Sequence, residues 1–232
     1  MKVDFDVKNN SNRLWLSPSE YKEGVTYAQA NNIKSLFLWY REKDEDSQPE
    51  NLTLDFSWLL ELPEIIRLEI SLTLSAKTNI ESFYSLKKLE SIVWYNYDKL
   101  PLDHERLPNL KSLYTHFSKN QLNGKSTFDK LQNLQRLKLW HIKECEDCSF
   151  LGNLHKLDNL ELTWSRKLYS LKGIEKCINL ESLQLRNLYT LEDVSSISAN
   201  PNLKSIWVEG CKHINEDGRK LIDAINLGTK KE

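Results

Sequence analysis

A six-residue pattern of the form L-x-x-L-x-L recurs along this 232-residue chain, and no other feature restricts its fold as tightly. Leu134, Leu137 and Leu139 are followed 23 residues later by Leu157, Leu160 and Leu162, then at the same interval by Leu180, Leu183 and Leu185, and by Leu203, Ile206 and Val208. Earlier copies begin at Ile33, Ile65, Leu89 and Leu110, giving eight in all with spacings of 32, 24, 21, 24, 23, 23 and 23. Alternation within L-x-L sends two apolar side chains to one face of a strand and the residue between them to the other. A single copy would leave its apolar side wet. Parallel stacking of all the copies buries that side continuously, so the chain must fold as a stack.

Further apolar residues recur in steps of three after each strand: Ile142, Cys145, Cys148 and Leu151; Leu168, Leu171 and Ile174; Leu188, Leu191, Val194 and Ile197. They read as inward positions of the return segments. Period and pattern together resemble the leucine-rich repeat family over about residues 33–214. The resemblance implies an α/β solenoid, a horseshoe with a parallel sheet of about eight strands on the concave side and short helices or 3-10 segments on the convex side. The family often carries Asn at the ninth position of each unit. Here that position reads Arg41, Thr73, Tyr97, Ser118, Ile142, Ser165, Leu188 and Cys211, which predicts no regular Asn ladder.

A stack needs caps at both ends. Residues 1–32 read as an N-terminal cap, with strand-like Val3 to Val7 and Leu14 to Leu16 and a helix over 18–31 started by Ser17-Pro18-Ser19-Glu20. Residues 33–214 form the solenoid, and 215–232 a closing helix, with Leu221, Ile222 and Ile225 on one face, plus a tail. Ser126 and Ser170 read as helix starts in the return segments. The wide first spacing contains the acidic stretch 41–50, five acids against two bases, which reads as a solvated loop or a partner-contacting one at the rim.

Composition narrows the function classes. The 39 Leu against 7 Gly and 6 Pro exclude a disordered or collagen-like chain. Lys plus Arg number 32 and Asp plus Glu 33, so no long-range field favours nucleic acid or an anionic bilayer. No apolar run approaches a membrane span, and Asp4 and Asp6 stand where a secretion signal needs an apolar core. The expected setting is the cytoplasm, with four reduced Cys.

Chemistry-bearing motifs are few. Cys145-Glu146-Asp147-Cys148 has the C-x-x-C form of a zinc or redox pair, but both Cys fall on apolar slots of the repeat and no second pair completes a ligand set. The five His lie in no metal or catalytic motif, and no Gly-rich phosphate loop is present. The reading is therefore a non-enzyme, with no cofactor and no metal; a zinc or redox enzyme built on Cys145 and Cys148 is the least favoured alternative.

The register of the repeat points to a concave surface. Its outward positions are Phe37 and Trp39, Glu69 and Ser71, Val93 and Tyr95, Tyr114 and His116, Lys138 and Trp140, Glu161 and Thr163, Gln184 and Arg186, and Trp207 and Glu209. Tyr40, Asn96, Phe117, His141, Trp164 and Asn187 flank them, and Arg136 stands at a strand start. Trp15, Trp58 and Trp94 read as core. The candidate protein-binding site is Phe37, Trp39, Tyr95, Tyr114, His116, Arg136, Lys138, Trp140, His141, Glu161, Trp164, Arg186, Trp207 and Glu209. Trp, Tyr and Arg dominate binding hot spots, and mixed charge suits a protein better than a polyanion. The alternative is an aromatic ladder that merely stiffens the sheet. The expected partner is another protein, bound by a chain that is monomeric alone. The resemblance further suggests a bacterial immunity protein that occludes a toxin, or else an effector or adaptor that recruits a host or regulatory protein through the same face.

Overall fold

The structure, a computed structural model, describes residues 2–6, 11–39, 51–96, 100–103, 106–118, 128 and 130–228. Tyr40, the acidic stretch 41–50, the Ser126 helix start and the tail from 229 lie outside the described residues. The chain divides into two compact units, Met1–Leu110 and Lys111–Glu232.

The first unit contains β1 (Lys2–Asp6), β2 (Ser11–Leu16), α1 (Tyr21–Ala30), β3 (Ser35–Trp39), β4 (Arg67–Ser71) and β5 (Ser91–Trp94). β1 runs antiparallel to β2, and the pairs from β2 to β5 are parallel. The 18–31 helix signal becomes a 3-10 turn, Pro18–Glu20, leading into α1, with the Ser17 N–H donating to Glu20 Oε2 at 3.1 Å. β2 belongs to the parallel stack itself: Leu14, Trp15 and Leu16 align with Leu36, Phe37 and Leu38. The repeat pattern does not mark this copy because Ser11 stands where the first Leu recurs. Its alignment also corrects Trp15, expected in the core: Leu14 and Leu16 are fully buried, while Trp15 between them lies half-buried on the opposite face.

Trp94, by contrast, is wholly enclosed. Its ring meets Phe83 edge-on at 5.5 Å and its indole N–H donates to the Leu100 carbonyl at 2.9 Å. Trp58 is also buried.

The second unit contains β6 (Ser112–Ser118), β7 (Arg136–Lys143), β8 (Asn159–Ser165), β9 (Ser182–Leu188), β10 (Ser205–Glu209) and α2 (Glu216–Asn226). Its strands pair in parallel in chain order. Leu137, Leu160, Leu183 and Ile206 stand in register, each less than 5 % exposed. Burying such side chains contributes ~1.5–3 kcal/mol each. Every predicted inward slot from Ile142 to Ile197 is buried to within 2 %.

The described return segments are mostly single 3-10 turns, and a polar side chain launches five of them. Asp55, Asn79, Asp147 and Asp193 accept at Oδ1 from a backbone N–H two residues on, and Ser170 does so through its Oγ. In the second unit these residues stand 23 apart, and Ser170 Oγ donates to Asp193 Oδ2 at 2.8 Å. Ser170 therefore anchors a turn, and the 3-10 segment of its coil begins only at Ile174.

The ninth-position Asn ladder is indeed irregular. Asn96, one residue earlier, takes the role once, accepting from Leu74 N and donating to Leu72 O, both at 2.8 Å. Ser165 replaces it in β8, donating to Ile142 O at 3.0 Å.

The last helix closes the second unit. Asn215 caps its start by accepting from Gly218 N at 2.8 Å, and Ile222 and Ile225 are buried. At its far end Asn226 stands against β10: its Oδ1 accepts from Ile206 N at 2.7 Å and its Nδ2 donates to Ile206 O at 2.9 Å. The side-chain amide thus takes the place of a further strand. Asn226→Ala should lower stability by ~1–2 kcal/mol, two modest hydrogen bonds' worth. Hydrogen exchange should show the Ile206 amide losing protection well beyond that global change.

Candidate functional site

Each unit presents the outward register of its own strands. In the first, Trp15 meets Phe37 edge-on at 4.2 Å and Trp39 at 5.5 Å, leaving all three half-buried. Glu69 sits beside them, 3.8 Å from Arg13 and 3.3 Å from Arg67. Val93 and Asn96, read from the sequence as outward-facing, are buried, Val93 opposite Glu69 and Asn96 by its two coil-to-coil hydrogen bonds. On β5 and its end that leaves Tyr95, half-buried. This face satisfies much of its own aromatic surface.

The second unit differs because its strands carry a bulge at one repeated place. In β7, β8 and β9 the ladder runs from Trp140↔Thr163↔Arg186 to Ile142↔Ser165↔Leu188 and skips one residue in each strand. The skipped residues, His141, Trp164 and Asn187, have φ of +49°, +57° and +52°, and Gly210, 23 residues on, has +69°. Left-handed backbone is routine for Gly and tolerable for Asn, whereas for a bulky L-residue it costs ~1–2 kcal/mol. At Gly210 a side chain would also strike Asn187. Trp164 is therefore the strained member of the column. Its ring lies tilted against that of His141, centroids 4.6 Å apart, and remains 43 % exposed.

The same bulge corrects Phe117, expected at the rim. Between His116↔Trp140 and Ser118↔Lys143, the two residues His141 and Ile142 oppose Phe117 alone. That turns Phe117 inward, where it is fully buried against Phe128 at 5.2 Å and Phe150 at 4.8 Å. His116 stays on the open side, 4.9 Å from the His141 ring and 6.3 Å from Trp140. Tyr114 is half-buried on the same strand, Arg136 is exposed at the start of β7, and Trp207 is 61 % exposed on β10.

Between the aromatics runs a chain of alternating charge. Lys138 Nζ lies 2.7 Å from Glu161 Oε1 and 4.7 Å from the Trp140 ring centroid. Glu161, only 9 % exposed, also receives Thr163 Oγ1 at 3.2 Å and has Arg186 3.9 Å away. Arg186 in turn meets Glu209 at 3.0 Å. The two cations and two acids cancel, so the middle of this face is electrically self-sufficient. The Lys138–Glu161 pair is well covered and fixes side-chain positions more than it adds stability, whereas Arg186–Glu209 is open to solvent.

At the downstream strand ends the surface opens into a groove of about 520 Å³. Trp164, His141 and Tyr189, the last 48 % exposed, give it aromatic walls. Lys143, Arg166 and Lys167 give it cations, against the single acid Glu144, which is paired with Lys167.

All four Cys are buried as free thiols, and burial pushes the Cys148 thiol far above its usual range and that of Cys177 up to about 12. Thiolate, the form that ligates zinc or exchanges disulfides, is therefore disfavoured at Cys148 of the C-x-x-C. Among the described residues no three His, Cys, Asp or Glu are grouped to hold a metal ion, and no helix is long and apolar enough to cross a membrane.

The coil is thus complete: an L-x-x-L-x-L strand in parallel register with its copies, a left-handed bulge, an Asx or Ser turn, a 3-10 return and the next strand 23 residues on. This is the leucine-rich repeat fold. Solved structures resemble the chain, 51 matching chains in all. Among them, internalin C2 of Listeria monocytogenes is 21% identical over 68% of this chain and 76% of its own, with a TM-score of 0.45. A leucine-rich repeat protein of Leptospira interrogans is 18% identical over 86% of this chain and 60% of its own, with a TM-score of 0.37. No protein-family model and no curated protein matches the sequence.

Two features of the leucine-rich repeat coils here escaped sequence reasoning. Lys143 ends β7 and Arg166 and Tyr189 directly follow β8 and β9, all outside the L-x-L window, although their 23-residue spacing is a signal that would have found them. The left-handed column had only Asn187 and Gly210 as visible signals.

Proposed function

We propose that the protein is a non-enzymatic binding module that holds another protein on the open sheet face of its second unit. One observation carries this reading: Trp164 is kept at φ +57° with its ring 43 % exposed beside His141. Backbone strain under an exposed aromatic has no value to the fold, and strain of this kind concentrates where ligands are gripped. Trp140, Arg186, Trp207 and the self-neutral charge chain complete the surface, and a partner that matches alternating charge gains specificity from it. Trp39 and Phe37 would contribute through the first unit's own face.

The finer reading is a cytoplasmic, monomeric immunity protein whose aromatic face covers a toxin's active site. It rests on the family resemblance stated above, and the gene neighbourhood tests it, since an immunity gene sits beside its toxin. An effector or adaptor would lack that neighbour.

The surface itself is tested by immobilising wild-type protein and Trp140→Ala in parallel over native lysate. Trp140 is half-buried against Lys138, so its loss should weaken a one-to-one partner by about tenfold, the truncation cost of an ordinary hot-spot residue. Equal retention by both proteins, with unchanged thermal midpoints, would remove the face from consideration.

A further inference from the structure

The charges of the second unit are divided unevenly, and the division points to what the groove receives. In the middle of the face, Lys138, Glu161, Arg186 and Glu209 are paired with one another and leave no net charge. At the strand ends the groove is lined by Lys143, Arg166 and Lys167 against Glu144 alone, an excess of two cations. The excess is local, because the whole chain carries a formal net charge of -1. Arg166 is exposed and makes no ion pair among the described residues. Its neighbours one coil to either side, Lys143 and Tyr189, are exposed too, so a cation, a guanidinium and a phenol stand in a row along the groove. The opposite wall is the contacting pair His141 and Trp164.

We propose that this groove seats an extended, carboxylate-rich segment of a partner protein, with an acid on Arg166 and an apolar side chain on Trp164. The inference rests on the binding-face reading above and names the partner chemistry it requires. A fork of guanidinium donors takes a carboxylate bidentately, and the half-exposed indole offers apolar area at small entropic cost. A carboxylate would give Arg166 the ion-pair partner that none of the described residues supplies, Glu144 being committed to Lys167. A nucleic-acid strand fits less well: its phosphates need a continuous basic track, and the face immediately beside the groove is neutral.

The test uses the full chain and three probes: a labelled ten-residue peptide alternating Glu and Leu, the same peptide with Gln for Glu, and an oligothymidylate. Tighter binding of the Glu peptide than the Gln peptide by about tenfold, falling with added salt, is the expected result. Arg166→Ala should erase most of that preference and leave the Gln peptide and the thermal midpoint unchanged. Arg166→Lys should restore part of it. Equal binding of the two peptides, an unaffected Glu peptide in Arg166→Ala, or tighter binding of the oligothymidylate overturns the proposal. Failure here is separable from failure of the face itself. Partner retention lost in Trp140→Ala but kept in Arg166→Ala sinks the acidic segment and leaves the face standing.

Discussion

Trp164→Asn should weaken partner binding ~30-fold or more while leaving the protein as stable as wild type. The first half follows from exposure: the indole is a large, half-exposed apolar surface at the groove, and loss of a central Trp typically costs ~2 kcal/mol or more, ~30-fold in affinity. The second half follows from the backbone. At φ +57° the Trp side chain opposes its own main chain by ~1–2 kcal/mol, which Asn relieves; in exchange the ring contact of the indole with His141, ~0.5–1.5 kcal/mol, disappears. Asn187 already occupies the same place one coil later. Trp164→Ala removes the ring but keeps a Cβ on left-handed backbone without the Asn advantage, so it should unfold at lower denaturant than Trp164→Asn. Chemical denaturation of the three proteins beside a binding isotherm for each checks both halves. If Trp164→Asn unfolds at lower denaturant than Trp164→Ala, the strain argument fails.

The largest loss of stability belongs to Trp94→Ala, at ~3–5 kcal/mol. Trp94 has no exposed surface, packs edge-on against Phe83 and satisfies the Leu100 carbonyl. The truncation opens a cavity and strands an acceptor in the same step. Domains are typically stable by only ~5–15 kcal/mol, so a large share of the margin would vanish. Trp94→Phe separates the two contributions, since it refills most of the volume and leaves only the carbonyl unpaired; it should cost ~1–3 kcal/mol. Urea titration followed by Trp fluorescence and circular dichroism reads the series. A cost for Trp94→Ala below that of Trp94→Phe would contradict the cavity account.

Much of this fold is written in the order of apolar residues. The columns headed by Leu137, Leu160 and Leu183, and the steps of three from Ile142 to Ile197, are buried as their spacing requires. What the pattern hides is anything that depends on a residue's backbone angle or on which neighbour it meets. Phe117 matches an outward position by count, yet one extra residue in β7 turns it into the core. Trp15 has a core residue's composition, yet its strand joins the stack and exposes it to Phe37. Glu161 is acidic and on the open register, yet Lys138, Thr163 and Arg186 close over it. Trp140, Trp164 and Trp207 were visible as a candidate surface; their inequality was not, because only the folded geometry separates a ring resting on Lys138 from one held over a groove.

The amide of Asn226 has a consequence for how recognition can take place. A last strand normally offers its free N–H and C=O groups as a template onto which an incoming peptide can lay itself, reading few side chains as it does so. At Ile206 both groups are already engaged by one side chain of the chain's own helix. A partner seeking strand addition there must first evict an intramolecular competitor that is always present at high effective concentration. On the binding reading proposed above, a partner is left the side chains of the open face to read, where sequence, and not mere extendedness, decides what binds.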